Sequence, residues 1–152
     1  MKTDVRTIVL AEDNPNDVEL TLAAFAENGL LNEIVVLRDG AATLDYLYGR
    51  NEHAGRATGN PGLLLLDLKM PKVDGLEVLR TIKSDPLLRT IPVVVLTSSR
   101  QERDLVQSYN FGVNAYVVKP VDFQEFVGAV RALGGFWAMV NEPPPASEYR
   151  SA

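Results

Sequence analysis

Glu12, Asp13, Asp67, Thr97 and Lys119 are the residues of this chain whose types and positions could do chemistry. Each stands at the C-terminal end of an apolar run. Thr7-Ile8-Val9-Leu10-Ala11 leads into Glu12-Asp13, Leu63-Leu64-Leu65-Leu66 into Asp67, Ile91-Pro92-Val93-Val94-Val95-Leu96 into Thr97, and Ala115-Tyr116-Val117-Val118 into Lys119. In open α/β sheets the carboxyl ends of the strands are where ligands bind. If the four runs are parallel strands of one sheet, three acids, a hydroxyl and an ammonium meet on one edge.

Clustered carboxylates repel one another unless a cation neutralises them. Mg2+ selects hard oxygen ligands, usually one or two carboxylates completed by waters and a phosphoryl oxygen, and Glu12, Asp13 and Asp67 fit that inventory. No His or Cys belongs to the set, which disfavours zinc. A carboxylate in such a site can attack a phosphoryl group in line to give an acyl phosphate. The charge on the three equatorial oxygens must then be met by the metal and by fixed donors. Lys119 can meet one oxygen, the Thr97 hydroxyl a second, and backbone N–H groups after Asp67 can add more. Taken singly, each residue has a plainer explanation: Asp13 before Asn14-Pro15 is a helix cap, Thr97 a turn hydroxyl, Lys119-Pro120 a strand exit. Their shared place at strand ends makes them a site. His53, the only histidine, lies in a Gly- and Asn-rich segment away from every strand end and receives no role.

The elements that must position these groups follow from alternating strand and helix signals, the pattern of repeated β-α units around a parallel sheet. The four-leucine run between Pro61-Gly62 and Pro71 reads as a central strand buried on both faces. Asn14-Pro15-Asn16 opens a helix with Val18, Leu22 and Phe25 at helical spacing, which Gly29 stops. Ile34 to Leu37 is a second short strand. Asp39-Gly40 opens a helix with Leu44, Leu47 and Tyr48 on one side, and Gly49 to Gly62 is a polar connection of 14 residues (62 − 49 + 1), longer than most. Leu76, Leu79 and Ile82 mark a third helix over Gly75 to Asp85. Leu105, Val106 and Tyr109 mark a weaker one over Arg100 to Asn110, and Asp122 caps a last helix bearing Phe126, Val127, Val130 and Leu133. Five β-α units account for the chain through Leu133.

The chain has 152 residues, 46% apolar and 23% charged, which suits one globular domain with an adequate core. It has no cysteine, so disulfides, thiolate metal sites and cysteine nucleophiles are excluded, as fits a reducing cytoplasm. No stretch approaches 18 apolar residues and Met1-Lys2-Thr3-Asp4 is too polar for a secretory leader, so neither a membrane span nor secretion is expected. Fifteen Lys and Arg against 20 Asp and Glu give a net charge of −5 without a basic cluster, which argues against nucleic-acid binding.

Together these residues resemble the receiver domain of bacterial two-component response regulators, over nearly everything from Thr7 to Leu133. The resemblance is carried by Glu12-Asp13, by Asp67 with Met70-Pro71 and Gly75, by Thr97-Ser98, and by Ala115-Tyr116-Val117-Val118-Lys119-Pro120. The separations Asp67 to Thr97 (97 − 67 = 30) and Thr97 to Lys119 (119 − 97 = 22) are also those of the family. It implies an α/β class, flavodoxin-like (βα)5 fold: a five-stranded parallel sheet in the order 2-1-3-4-5 with helices on both faces. It further implies Asp67 as phosphoacceptor, with Mg2+ held by Glu12, Asp13, Asp67 and the backbone carbonyl of Lys69, and with Thr97 and Lys119 on the phosphoryl oxygens. Thr97 and Tyr116, the aromatic three residues before Lys119, would form the switch. The protein would then be a phosphoacceptor rather than an enzyme acting on other substrates, and would signal through protein contacts because no output domain is evident after Leu133.

Beyond the last helix, Phe136-Trp137-Ala138-Met139-Val140 runs into Pro143-Pro144-Pro145 and a polar tail, dividing the chain into a receiver with its helical extension (1–140) and a Pro-rich tail (141–152). This extension and the Gly49 to Gly62 loop are similar to those of the single-domain regulators paired with bacterial phytochrome histidine kinases. That narrower resemblance implies a phytochrome-type sensor kinase as partner. It also implies a cytoplasmic homodimer built on the last helix and the extension, with Phe136, Trp137, Met139 and Val140 at the interface. Another sensor kinase or a phosphorelay intermediate is the alternative partner. A haloacid-dehalogenase-type phosphatase fits poorly, because Lys69 stands where that family needs a second acid. A receiver kept as a constitutive scaffold is disfavoured by the intact set of five residues.

Overall fold

The strand that carries Asp67, β3 (Asn60–Asp67), is buried along all 8 of its residues. Successive side chains on a strand point to opposite faces. Leu63 and Leu65 therefore enter one apolar cluster with Ile8, Leu10, Val94 and Leu96, while Leu64 and Leu66 enter the other with Val9, Ala11, Val93 and Val95. A strand buried on both sides must lie inside a sheet covered by helices on both faces. Each fully buried leucine contributes roughly 1.5–3 kcal/mol, so this strand is a main source of stability.

The computed structural model describes residues 3–27, 33–55, 59–97, 99–113 and 115–118. Around β3 run β1 (Thr3–Ala11), α1 (Pro15–Glu27), β2 (Glu33–Leu37), α2 (Gly40–Tyr48), α3 (Gly75–Ser84), β4 (Val93–Thr97), α4 (Arg100–Ser108) and β5 (Ala115–Val118). The five strands pair in parallel in the order β2-β1-β3-β4-β5, as expected of a flavodoxin-like receiver fold. Val18, Ala24 and Phe25 of α1 cover one face, and residues of α2, α3 and α4 cover the other. No described helix is long and apolar enough to cross a membrane. The last helix expected from Asp122, the Phe136 to Val140 segment and the Pro-rich tail lie outside the described residues.

Helix starts follow the expected capping chemistry. Asn14 Oδ1 accepts from the N–H groups of Asn16 (2.9 Å) and Asp17 (3.3 Å), with Pro15 in the first turn where no donor is needed. Asp39 accepts from Ala42 N–H at 2.7 Å, Asp74 from Glu77 N–H at 2.9 Å and Ser99 from Glu102 N–H at 3.1 Å.

Several boundaries and faces differ from those read in the sequence. β3 starts at Asn60, because Pro61 needs no ladder donor at a strand start, and Thr3 and Asp4 pair with Asn60 and Pro61 before the register shifts ahead of Ile8. The Gly49 to Gly62 connection is correspondingly shorter and includes a 3-10 turn over Asn51–His53. β4 starts at Val93 rather than Ile91, since Ile91 N–H turns back to Leu88 and Pro92 has none to give. Leu22 lies 37% exposed at the margin of the buried stripe, its place taken by Thr21. In α4 only Val106 is buried, leaving Leu105 at 51% and Tyr109 at 45% exposure.

Tyr48 also faces outward, because its hydroxyl is committed to a polar partner: it donates to Asp85 Oδ2 at 2.7 Å, joining the end of α2 to the turn after α3. This bond, helped by the Leu87 N–H, holds the Asp85 carboxyl below its ordinary value of 3.8, and the same bond raises the Tyr48 phenol. A depressed carboxyl stabilises the fold above its unfolded pKa and loses that effect as pH falls through the folded one. Tyr48→Phe is therefore expected to lower the Tm at neutral pH, with the gap to wild type closing as the pH is taken below 3.8. Thermal melts that show a gap of constant size across that range would contradict the assignment.

Candidate functional site

β1, β3 and β4 end side by side, so their last residues and the first ones beyond share one edge. Ala11 of β1 is in register with Leu66 of β3, and Asp67 with Leu96 of β4. Glu12 and Asp13 leave β1 beside Asp67, and Thr97 ends β4 one residue beyond Asp67's partner. The three acids offer carboxylate oxygens that all lie within 4.8 Å of one another. Glu12 and Asp67 are buried, at 0% and 4% exposure, whereas Asp13 faces solvent.

Local hydrogen bonds fix two of these carboxylates. Glu12 donates its N–H to the Leu37 carbonyl (2.9 Å), and its Oε2 accepts from Asn14 N–H (3.2 Å), so the turn into α1 orients the acid. Asp67 Oδ1 accepts from Lys69 N–H at 3.2 Å, and Leu68 N–H donates to Leu96 O at 3.2 Å, so the chain continues along β4 before turning away. The Lys69 N–H, one of the backbone donors after Asp67, is thus engaged with the Asp67 carboxylate itself. One exposed and two buried carboxylates form a set of hard oxygens open to solvent on one side, which suits a divalent cation that keeps some of its water.

Thr97 is fully buried, and its Oγ1 has no hydrogen-bond partner among the described residues. Burying an unpaired hydroxyl costs on the order of 1–3 kcal/mol, so the position suits a group that gains a partner in another state. Tyr116 of β5 stands opposite Val95, half-buried against the cluster covered by α2, α3 and α4, and burial raises its phenol. β5 ends at Val118 opposite Thr97. Lys119 lies outside the described residues, as does Ser98.

In the sequence, Gly75 stands as part of a motif and as a helix start, and Asp39-Gly40 as a helix start. Both glycines turn out to press on the loop that follows Asp67. A Cβ on Gly75 would overlap the Asp67 carbonyl oxygen and fall 2.5 Å from Leu68 Cα, so α3 begins directly against the backbone of Asp67. Gly75 N–H donates to the Leu68 carbonyl at 2.8 Å. On the other side of the loop, Lys72 adopts a left-handed backbone (φ 67°) and its ammonium lies 3.4 Å from Asp39 Oδ2. The signal was present as two Asp-Gly pairs, Asp39-Gly40 and Asp74-Gly75, each opening a helix. Side chain–backbone capping accounts for the Asp; only the fold reveals what the Gly is for.

Comparison with known proteins agrees with this geometry. Residues 8–131 match the family model of the response regulator receiver domain. The chain is 38% identical over 141 residues to the response regulator Rcp1 of Synechocystis sp., covering 93% of this chain and 95% of Rcp1. Among solved structures, the bacteriophytochrome response regulator RtBRR is 56% identical with a TM-score of 0.81, over 95% of this chain and 87% of that one. The Mn(2+)-bound form of Rcp1 superposes with a TM-score of 0.74 at 36% identity, over 92% and 97% of the two chains. The phosphorylated cyanobacterial phytochrome response regulator RcpA also has a TM-score of 0.74, at 42% identity over 87% and 93%. Sheet order, strand-end acids and sequence therefore agree, and the chain belongs to the response regulator receiver domain family, close to the phytochrome response regulators.

Proposed function

We propose that this protein is a phosphorylation switch that takes a phosphoryl group on Asp67 from a phosphohistidine of a phytochrome-type sensor histidine kinase. The carboxylates of Glu12, Asp13 and Asp67 within 4.8 Å of one another carry the proposal, since that density of negative charge suits a metal-assisted phosphoryl site. Mg2+ held by these three acids and the Lys69 backbone carbonyl would supply positive charge facing the phosphoryl oxygens. An Asp67 oxygen attacks phosphorus in line, the P–N bond to the donor imidazole breaks as the P–O bond forms, and the freed imidazole takes its proton from water. Lys69 N–H, already on Asp67, orients the nucleophile. Lys119 and Thr97 take the remaining charge on the transferred group. Support for the donor class comes from the relatives: RcpA, whose phosphorylated form is known, and RtBRR are phytochrome regulators by name. On the same likeness we propose a kinase of that kind, a cytoplasmic location and a role as phosphoacceptor rather than enzyme.

Signalling then requires that phosphorylation bias a two-state element, because a ligand shifts an equilibrium only through differential contacts. Thr97 Oγ1 gains an acceptor when a phosphoryl oxygen arrives, and Tyr116, on the adjacent strand, is the packing element that responds. The dimer surface is assigned to Phe136, Trp137, Met139 and Val140, since aromatic residues and Met are enriched at interfaces.

With Mg2+ and acetyl phosphate or kinase, wild type should incorporate label and Asp67→Asn should not; label on the Asn variant at the wild-type level would end the assignment. Thr97→Ala should still bind metal and accept label within about tenfold of wild type, a loss of about one donor's contribution. The same variant should lack the phosphorylation-dependent shift of the Tyr116 ring resonances seen by NMR, and a wild-type shift in it would remove Thr97 from the switch. In sedimentation velocity, Trp137→Ala is expected to move a dimer toward monomer; a dimer untouched by that change would place the interface elsewhere.

A further inference from the structure

We infer that Gly40 is a positioning residue for the phosphoryl site, acting through the backbone of Val73. This rests on the function proposed above and extends the site to the start of α2. A Cβ at position 40 would overlap the Val73 carbonyl oxygen and stand 2.6 Å from its carbon and 2.9 Å from its Cβ. Two of those neighbours are backbone atoms, which cannot swing aside as a flexible side chain would. Gly40 is itself buried, and its φ is not in the left-handed region, so the requirement for glycine at this position is one of space.

The contact matters because of what the touched segment carries. Residues 68–74 leave β3 at Asp67 and return to α3 at Gly75, and they hold the Lys69 N–H bonded to Asp67 Oδ1. Gly75 pins one end of this loop to the Asp67 backbone. Near the other end, Gly40 bears on Val73, so the loop is held between the first turns of α2 and α3. Asp39 adds a tie, with one carboxylate oxygen on Ala42 N–H and the other 3.4 Å from Lys72 Nζ. That ion pair is a weak constraint: the Lys72 side chain is 70% exposed, and exposed pairs contribute little. Close packing of backbone against backbone is the strong one, because an interior has no room to absorb a methyl group without moving atoms. A displaced Val73 moves Lys69 with it and spoils the spacing of oxygens that a small, geometrically strict cation demands.

The test compares wild type with Gly40→Ala, Lys72→Met and Leu47→Ala. Leu47 is a buried residue of the same helix, two turns away from Gly40, and serves as a control for general destabilisation. Two quantities are read at a temperature where each protein is folded: the Mg2+ dissociation constant by calorimetry, and amide exchange of residues 68–74 in metal-free protein. Gly40→Ala should weaken Mg2+ binding at least tenfold and speed exchange in 68–74 by a similar factor. Lys72→Met and Leu47→Ala should stay within about threefold of wild type in metal affinity. Gly40→Ala with wild-type affinity and wild-type exchange would overturn the inference, as would Leu47→Ala losing affinity to the same extent. Should Gly40→Ala fail to fold, Val73→Gly removes the side-chain part of the contact and frees the backbone at position 73, and should weaken Mg2+ binding; unchanged binding there also overturns it. A wild-type protein that binds no Mg2+ and takes no label would instead refute the phosphoryl-site proposal, and the role of Gly40 would fall with it.

Discussion

Everything in this molecule is arranged around holding two buried acids, Glu12 and Asp67, close together with a third, Asp13, at the water's edge. Like charges brought this close repel, and two of these acids are removed from water, so the arrangement works against the fold. The fold holds this arrangement by burying a great deal of apolar surface immediately behind it. β3 is covered on both faces and ends at Asp67, so this carboxylate stands at the end of a strand buried along its whole length. An acid there cannot retreat into solvent by a local movement of the backbone. The result is a site whose charge a hard cation would relieve, with one carboxylate oxygen already oriented by a backbone N–H.

Rigidity and responsiveness are divided between the two sides of that edge. On the side of α2 and α3, glycines bring helix starts against the backbone of the loop after Asp67, leaving no slack. On the side of β4 and β5, Thr97 is buried with a hydroxyl that has no partner among the described residues, and Tyr116 is only half-buried against the core. A group that lacks a partner in one state and gains it in another is what a two-state element needs in order to be biased by chemistry nearby. Under the proposed function, one side of the sheet edge would hold Asp67 in place and the other would carry the switch.

The strand ends, the helix caps and the central strand were legible in the chain because each depends on neighbours within a few residues. Four consecutive leucines between Pro-Gly and Pro, or Asn14 before Pro15, declare a local structure whatever surrounds them. Where the pattern misleads, a hydrogen bond outside it has taken over. Tyr48 matched a helix stripe by spacing but turns outward to Asp85, 37 positions away. Ile91 fits a strand by composition but donates its N–H to Leu88 in a turn.

What the sequence determined by itself was the inventory: which residues could bind a cation and a phosphoryl group, that they end apolar runs, and that the runs alternate with amphipathic helices. What only the tertiary structure decided was distance. Carboxylates separated by 67 − 12 = 55 residues in the chain come within 4.8 Å because β1 and β3 are neighbours in a parallel register, a relation that no local pattern encodes. The requirement for glycine at positions 40 and 75 is of the same kind. A missing side chain has no chemistry to read in a sequence, and its purpose appears only when another stretch of backbone occupies the space it leaves.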